Sequence, residues 1–288
     1  MIRAPMPLLG AHVSASGGMP RAVERAARAG YDTLQLFVKS PRQWRARPLA
    51  RGEAGAFREA LRASPVSCVL AHGTYLVNLA ATDRETLRRS RSTLGVELGK
   101  CQTLGIPALV VHPGAHLGRG VEEGIRAVAA SLAAVLARRR GRAIRLLLEN
   151  TAGQGTMLGW RLEQLAAMRQ LSGHPQRVGF CIDTCHAFAA GYRLNRAAGW
   201  EEFAGELDRH LGLTNVACLH LNDSRHAAGS RRDRHANIGR GRIGHAAFAR
   251  LLNDPRLAGL PMILETPLGE DGQGHRRDFA LLRRLAAD

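Results

Sequence analysis

The sequence predicts a single parallel (β/α)8 barrel over residues 1–288. Eight short apolar segments have the composition of strands buried on both faces, and helix-length segments separate them. Strands that alternate with helices favour a parallel sheet, and 288 residues are enough to close such a sheet into a barrel as one domain. Every strand of this kind of barrel points the same way, so we expect the residues at the strand ends to meet at one mouth.

Four of the predicted strands lie in the N-terminal half, at residues 8–13, 33–38, 66–71 and 108–111. The first is followed by a predicted helix at residues 23–29, which Gly30 would end. The third is followed by a long helix that we expect to stop near Gly105. Thr82 and Glu85 have the spacing of a capping box at the start of this long helix.

The other four predicted strands lie at residues 144–148, 178–183, 216–219 and 262–264. A predicted helix at residues 121–140 has a basic last turn that suits the helix dipole, and Gly141 would end it. The last helix is expected to begin near Arg277. Residues 223–244 form a predicted loop of about twenty residues, and loops this long inside a compact domain are usually functional.

The last six predicted strands each end in a side chain that is able to bind a metal ion. These side chains are His72, His112, Glu149, Asp183, His220 and Glu265. Any one of them alone has an ordinary explanation, such as a helix N-cap for Asp183. Unpaired carboxylates in an apolar mouth are costly, however, whereas divalent cations neutralise carboxylates and also accept imidazole nitrogen. The recurrence of metal-binding side chains at the ends of six strands therefore predicts a metal centre.

A second group of ligand types lies close to the first. His186 follows Asp183 by three residues, and Asp233 and His235 are two apart, so they face the same way if that segment is extended. A three-ligand site built from His186, Asp233 and His235 would leave positions open for substrate or water, as catalytic metal sites do. The remaining histidines are interpreted as ordinary polar residues: His12, His116, His174, His210, His226, His245 and His275.

The composition is strongly basic. Lys and Arg number 41 against 24 Asp and Glu, a formal charge of +17, which favours a polyanionic partner such as nucleic acid. Lys39 and Lys100 are the two lysines among them. The loop after the second strand, KSPRQWRAR, places basic residues around Trp44, and the loop GTYLVNLA exposes Tyr75 and Leu76. Charge interleaved with aromatic groups is typical of loops that touch nucleic acid, although a solvated turn has the same composition.

Several other classes of protein are not favoured. The five cysteines are an odd number and three lie in apolar segments, which fits reduced core residues rather than disulfides or a cysteine metal site. Without a signal peptide or a membrane-length apolar run, we expect a soluble, cytoplasmic protein with no membrane partner. No phosphate-binding Gly-Lys loop and no Gly-x-Ser-x-Gly elbow is found, so we expect no nucleotide cofactor and no serine nucleophile.

Five stretches of the sequence resemble motifs of the endonuclease IV family. They are AHVSASGG, LENTAGQG, CIDTCHAFAAGY, LHLNDS and DRHANIGRGRIG, and the similarity runs over nearly the whole chain. The resemblance implies a TIM barrel that binds three metal ions, usually zinc, although mixed imidazole and carboxylate ligands also suit manganese or iron. It implies hydrolysis of double-stranded DNA on the 5′ side of abasic sites, giving a 3′-hydroxyl and a 5′-deoxyribose phosphate, and removal of 3′-blocking groups.

The resemblance also implies a role for each candidate residue. One metal would be held by His72, His112 and Glu149. Glu149 would bridge to a second metal, whose other ligands would be Asp183, His220 and Glu265. The third metal would be held by His186, Asp233 and His235. Glu149 and Glu265 would be the catalytic carboxylates, and Arg42, Tyr75 and Leu76 would enter the duplex. We expect the protein to be a monomer.

Two other functions remain compatible with parts of the sequence. Related barrels that isomerise or epimerise sugars also place His, Asp and Glu at strand ends around metals, but they give no reason for Asp233 with His235 or for the charge of +17. A DNA-binding protein without catalytic activity would explain the charge but not the complete ligand set. Activity on a free ketose would favour the first, and metal-independent binding without incision would favour the second.

Overall fold

The computed structural model describes residues 7–138 and 144–287, and its main feature is a closed barrel. Within these residues the strands are β1 (Leu8–His12), β2 (Thr33–Phe37), β3 (Cys68–His72), β4 (Ala108–Val111), β5 (Arg145–Glu149), β6 (Val178–Asp183), β7 (Val216–His220), β8 (Asp223–Ser224), β9 (His235–Ala236) and β10 (Pro261–Leu264). Strands β1 to β7 lie side by side in chain order, and β10 closes the barrel between β7 and β1. All eight neighbouring pairs are parallel. The predicted (β/α)8 barrel is confirmed.

The register of the strands brings the predicted ligand positions to the same end of the barrel. Asp183 at the end of β6 is the register partner of His220 at the end of β7, and Glu149 at the end of β5 is the partner of Cys181. On the opposite wall, His72 ends β3 beside Phe37 of β2. The strand ends therefore form one rim, as the common strand direction requires.

Helices cover the outside of the barrel. They are α1 (Met19–Arg28), α2 (Glu53–Arg62), α3 (Arg84–Leu104), α4 (Val121–Ala137), α5 (Leu162–Leu171), α6 (Thr184–Ala190), α7 (Ala197–Glu206), α8 (His245–Leu252) and α9 (Gly274–Ala287). The larger apolar cluster lies between these helices and the strands. A smaller one lies inside the barrel and includes Leu70, Val110, Leu147, Cys181 and Ile263. This inner cluster makes the barrel a packed core with a polar rim rather than a pore.

Helix boundaries differ from the predictions in several places. The capping box of Thr82 and Glu85 is wrong: Asp83 is the N-cap of α3, and its Oδ2 accepts the Thr86 N–H at 2.7 Å. Asp is a strong N-cap, so the helix begins one residue later than the pattern indicated. Gly105 does end α3, with a φ of 81°. Its left-handed conformation suits a residue without a Cβ.

The other helix ends shift by a few residues. Helix α1 begins at Met19 rather than residue 23. Pro20 lies in its first turn, where the backbone N–H that proline lacks is not needed for a hydrogen bond within the helix. Helix α9 begins at Gly274 rather than near Arg277. Helix α4 ends at Ala137 rather than residue 140, and the predicted stop at Gly141 lies outside the described residues.

The long predicted loop at residues 223–244 is an organised structure. Its strands β8 and β9 pair antiparallel, with Asp223 opposite Ala236. The buried Asp223 carboxylate accepts the backbone N–H groups of four later residues at 2.8 to 3.3 Å, which are Gly239, Gly241, Ile243 and Gly244. A Cβ on Gly241 would lie 2.4 Å from Asp223 Oδ1, so this position needs glycine. One buried carboxylate therefore fixes residues 239–244, which follow the strand that begins at His235.

No helix within the described ranges is both long enough and apolar enough to cross a lipid bilayer.

Candidate metal centre

Glu149 lies at the centre of the barrel mouth and is fully buried. Its Oε2 is 3.1 Å from His72 Nε2 and 3.0 Å from His112 Nε2. Its Oε1 is 2.9 Å from His220 Nδ1 and 3.4 Å from His186 Nδ1. The two oxygens of this one carboxylate thus face four imidazoles, two at each oxygen.

On the Oε1 side, Glu149 shares a group of ligand atoms with Asp183, His220 and Glu265. His220 Nδ1 is 3.3 Å from Glu265 Oε2 and 4.0 Å from Asp183 Oδ2. On the Oε2 side, Glu149 forms a second group with His72 and His112. Within each of the two groups the candidate ligand atoms all lie within 4.8 Å of one another. Both groups therefore have the dimensions of a cation site.

A third group contains His186, Asp233 and His235, which the sequence also placed together. Asp233 Oδ2 is 3.2 Å from His186 Nε2, and Asp233 Oδ1 is 3.3 Å from His235 Nε2. The Asp233 N–H donates to Gln154 Oε1 at 2.9 Å, which fixes the segment just before β9. With 36% of its side chain exposed, Asp233 is more open to solvent than Glu149. This group therefore faces the outside of the mouth.

Three of the imidazoles are oriented by backbone carbonyls. The Nδ1 atoms of His72, His186 and His235 lie 2.8 Å, 2.9 Å and 3.2 Å from the carbonyl oxygens of Gly73, Asn150 and Glu265. A carbonyl only accepts hydrogen bonds, so each Nδ1 carries the hydrogen, and each Nε2 is directed at the neighbouring carboxylates. Such outer hydrogen bonds are a usual feature of metal-binding histidines.

The carboxylates and imidazoles in the mouth stabilise each other's charged forms. Burial alone would raise the pKa of Glu149, but the positive charges of His220 and His112 and hydrogen bonds from the imidazoles hold it well below the usual range. Burial would lower the pKa of His220, yet the charges of Glu265 and Glu149 raise it to about 10. Burial likewise opposes the charge on His235, while Asp183 and Asp233 raise its pKa to about 9. Protons on the imidazoles therefore balance the carboxylates, and a bound cation would replace those protons.

The residues present fit divalent metal ions. Imidazole nitrogens and carboxylate oxygens are the donors that zinc and similar ions prefer. The buried Nε2 of His235 lies 3.3 Å from Asp233 Oδ1 and 3.7 Å from Asp183 Oδ2, so it faces carboxylate oxygens on two sides. A cation held by the third group would bind this nitrogen and the Asp233 carboxylate together.

Cysteine thiols lie within reach of the same groups. Cys181 and Cys218 are close to His220, and Cys185 is close to Asp183 and His235. Burial raises the pKa of the Cys185 thiol to about 12, and burial also raises the pKa of Cys181. Because the thiolate is the form that binds metals, carboxylates and imidazoles are the better ligands here. All five cysteines are free, as the sequence predicted.

The candidate DNA-contact residues lie on two neighbouring loops at the edge of the mouth. Tyr75 is 60% exposed, and its ring centroid is 6.0 Å from that of His72. Arg42 is exposed and Leu76 is half-buried. The two loops are joined by the Thr74 hydroxyl, which donates to the Pro41 carbonyl at 2.5 Å. The aromatic and cationic groups therefore lie beside the candidate metal groups.

Sequence reasoning missed several polar residues that contact the candidate ligands, among them Asn222, Asn150, Gln35 and His12. Asn222 Nδ2 donates to Asp183 Oδ2 at 2.7 Å, and Asn150 Oδ1 accepts the Asp183 N–H at 2.7 Å. Gln35 and His12 both contact Glu265 Oε1, at 2.7 Å and 3.2 Å. A signal was present for the asparagines, because each follows a ligand by one or two positions, and for Gln35, because it is polar in an apolar strand. His12 had been assigned no role.

Comparisons with known proteins define first the class and then the family. A family model described as Xylose isomerase-like TIM barrel matches residues 23–285. A protein of Halorhodospira halophila (strain DSM 244 / SL1) named Probable endonuclease 4 is 49% identical over 275 residues, which cover 95% of this chain and 93% of that protein. The crystal structure of endonuclease IV from Thermus thermophilus matches with 37% identity and a TM-score of 0.86, covering 98% of this chain and 99% of that one.

The chain therefore belongs to the endonuclease IV family within the Xylose isomerase-like TIM barrel class. This confirms the resemblance seen in the five sequence motifs. The crystal structure of a D-tagatose 3-epimerase-like protein also matches, with a TM-score of 0.71 over 96% of this chain and 97% of that one. Its sequence identity of 16% shows a shared fold alone.

Proposed function

We propose that this protein is a metal-dependent DNA repair endonuclease of base excision repair. It hydrolyses the phosphodiester bond on the 5′ side of an abasic site in duplex DNA and leaves a 3′-hydroxyl and a 5′-deoxyribose phosphate. The observation that carries the proposal is the meeting of three groups of ligand atoms at one barrel mouth, beside an exposed Tyr75. Membership of the endonuclease IV family supports DNA as the substrate.

The proposed ligands are the nine residues of the three groups, with zinc as the expected ion at three sites and manganese or iron as substitutes. The first site uses His72, His112 and Glu149. The second uses Glu149, Asp183, His220 and Glu265. The third uses His186, Asp233 and His235. The support for this assignment is that each set has its candidate ligand atoms within 4.8 Å of one another.

When bound, divalent ions supply a lowered pKa for a water molecule and positive charge for the phosphate oxygens. The protein contributes the arrangement. Glu149 belongs to both of the first two groups of ligand atoms, so its carboxylate fixes the position of one group relative to the other. Glu265 keeps 17% of its side chain exposed and therefore remains within reach of a water and a phosphate at the mouth. We propose Glu149 and Glu265 as the catalytic carboxylates for these reasons.

Damage recognition is assigned to the two loops beside the mouth. An abasic site lacks one base, so the stack has a gap that a side chain can fill at a lower cost than in intact DNA. Tyr75 and Leu76 supply apolar and aromatic surface for this gap, and the exposed Arg42 supplies a cation next to the phosphates. We propose that a monomer is the active form and that it also removes 3′-blocking groups.

Incision of an end-labelled duplex with a single tetrahydrofuran residue tests the proposed function. This analogue cannot undergo β-elimination, so any cut reports hydrolysis. We expect one cut on the 5′ side of the analogue, a 3′ end that a polymerase extends, and no cut in the intact duplex. Metal-loaded protein that leaves the duplex uncut, or that converts a free ketose instead, would contradict the proposal.

A further inference from the structure

We propose that Gln35 is a positioning residue of the metal centre, which holds His220 and Glu265 in the orientation that ion binding needs. The inference rests on the proposed function, because both residues are ligands in that account. Gln35 lies in the middle of β2 and is fully buried. A buried side-chain amide is costly unless it makes hydrogen bonds, so its partners indicate why it is there.

The Gln35 amide contacts three polar side chains at the mouth. Its Nε2 donates to Glu265 Oε1 at 2.7 Å and lies 3.1 Å from His12 Nδ1. Its Oε1 lies 3.0 Å from His220 Nε2. An amide donates with one atom and accepts with the other, so Gln35 is able to serve a carboxylate and an imidazole at once. A methionine of similar length offers neither bond, and a glutamate would bring a second negative charge towards Glu265.

The bond to His220 decides which ring nitrogen is free for a cation. An amide oxygen only accepts hydrogen bonds, so it favours the tautomer with the hydrogen on His220 Nε2. The lone pair of Nδ1 is then free to bind a cation. This Nδ1 is the atom that lies 2.9 Å from Glu149 Oε1 and 3.3 Å from Glu265 Oε2. Gln35 therefore selects the tautomer that directs His220 towards Glu149 and Glu265, in the second proposed metal site.

His220 differs from three other proposed ligands in how it is oriented. The Nδ1 atoms of His72, His186 and His235 are held by backbone carbonyls, which no side-chain substitution removes. The outer nitrogen of His220 is held by a side chain instead. The second site thus depends on the identity of residue 35, in a way that the other two sites do not.

The test is the retention of zinc by Gln35→Met against increasing chelator, measured as zinc per chain by elemental analysis. Removal of an outer partner of a metal ligand typically costs about 10- to 100-fold in metal affinity. We expect Gln35→Met to lose one ion per chain at a chelator concentration lower by about that factor, with the other ions retained. Thr33→Val is the matched control, because Thr33 lies on the same strand, is fully buried and donates to the Cys68 carbonyl at 2.9 Å.

Nitrogen NMR of the histidine rings gives a second readout, and its wild-type measurement does not depend on any variant folding. In the zinc-loaded wild type we expect His220 to carry its hydrogen on Nε2, and in Gln35→Met we expect this signal to broaden or move. A His220 hydrogen on Nδ1 in the wild type would overturn the proposal, as would zinc retention by Gln35→Met equal to that of the wild type. Wild-type protein that binds no zinc at all would instead contradict the proposed function.

Discussion

Glu149 connects more of the centre than any other proposed ligand, because its two oxygens face four imidazoles. Glu149→Gln keeps the size of the side chain but removes its charge from a fully buried site. We expect incision of the tetrahydrofuran duplex to fall by more than about a hundredfold, with zinc content reduced. Glu122→Gln, at an exposed position on α4, is the control and should retain wild-type activity. Equal activity in both variants would remove Glu149 from the centre.

The imidazoles also predict how stability depends on pH. The pKa values of His220 and His235 rise to about 10 and about 9 in the folded protein without metal, above the ordinary value of 6.5. A raised pKa stabilises the fold below the unfolded value, and this contribution is lost as pH rises through the folded value. We therefore expect the Tm of metal-free protein to fall between pH 7 and pH 9.

Bound zinc should reverse this trend, because it takes the place of the protons. The increase in Tm caused by zinc should therefore grow from pH 6 to pH 9. Thermal unfolding of metal-free and zinc-loaded protein over this pH range measures it. A zinc effect that shrinks as pH rises would show that these imidazoles do not bind the ion.

At the scale of single elements, helix α3 anchors both candidate DNA-contact loops. Glu97 Oε1 accepts the Thr74 N–H at 2.9 Å, and Lys100 Nζ donates to the carbonyls of Val38 at 3.0 Å and Arg47 at 2.6 Å. Lys39, the other lysine of the chain, donates to the Ser40 carbonyl at 2.9 Å. Both lysines of an arginine-rich chain thus bind backbone carbonyls of the Arg42 loop.

Removal of this anchor should weaken damage recognition. Lys100→Met leaves the Val38 and Arg47 carbonyls without the ammonium, so we expect the preference for an abasic over an intact duplex to fall roughly tenfold, as for the loss of one charged hydrogen bond. Zinc content should stay unchanged. Arg88→Met, at an exposed position on the same helix, controls for the loss of one positive charge. An equal loss of preference in both variants would contradict a role in anchoring the loop.

The elements that the sequence predicted are those with a local signal. The eight barrel strands were found because each is a short apolar run, and the last six end in a His, Asp or Glu. Helices α2, α5, α7 and α8 went without individual predictions, and none of them has a side chain that caps its N-terminus. The hairpin of β8 and β9 was interpreted as a loop, since each of these strands has two residues, which is too short for an alternating pattern.

The site was predicted to the extent that its residues end strands or belong to family motifs. The three groups of ligands were expected from such positions, and the structure brings each group together. The partners that orient these ligands were not expected, because they come from distant parts of the chain. Gln35, for example, is 185 residues from His220 and 230 residues from Glu265. Contacts of this kind depend on the closure of the barrel.

At the scale of the whole molecule, the formal charge of +17 should dominate binding to DNA. Each phosphate neutralised by a basic side chain contributes about −0.9 to the slope of log affinity against log salt. We expect a steep decrease in affinity for a duplex between about 50 and 200 mM salt, as for a protein with several phosphate contacts. Fluorescence anisotropy with abasic and intact duplexes measures both slopes. A flat salt response would contradict DNA as the partner of the basic loops.

The metal dependence of incision is tested by following zinc per chain and incision of the tetrahydrofuran duplex together in one sample during chelation and reloading. We expect about three ions per chain in the active protein, loss of incision as they are removed, and recovery when zinc returns. The cut should lie on the 5′ side of the analogue throughout. Full incision by protein that holds no metal would contradict metal-dependent hydrolysis at this site.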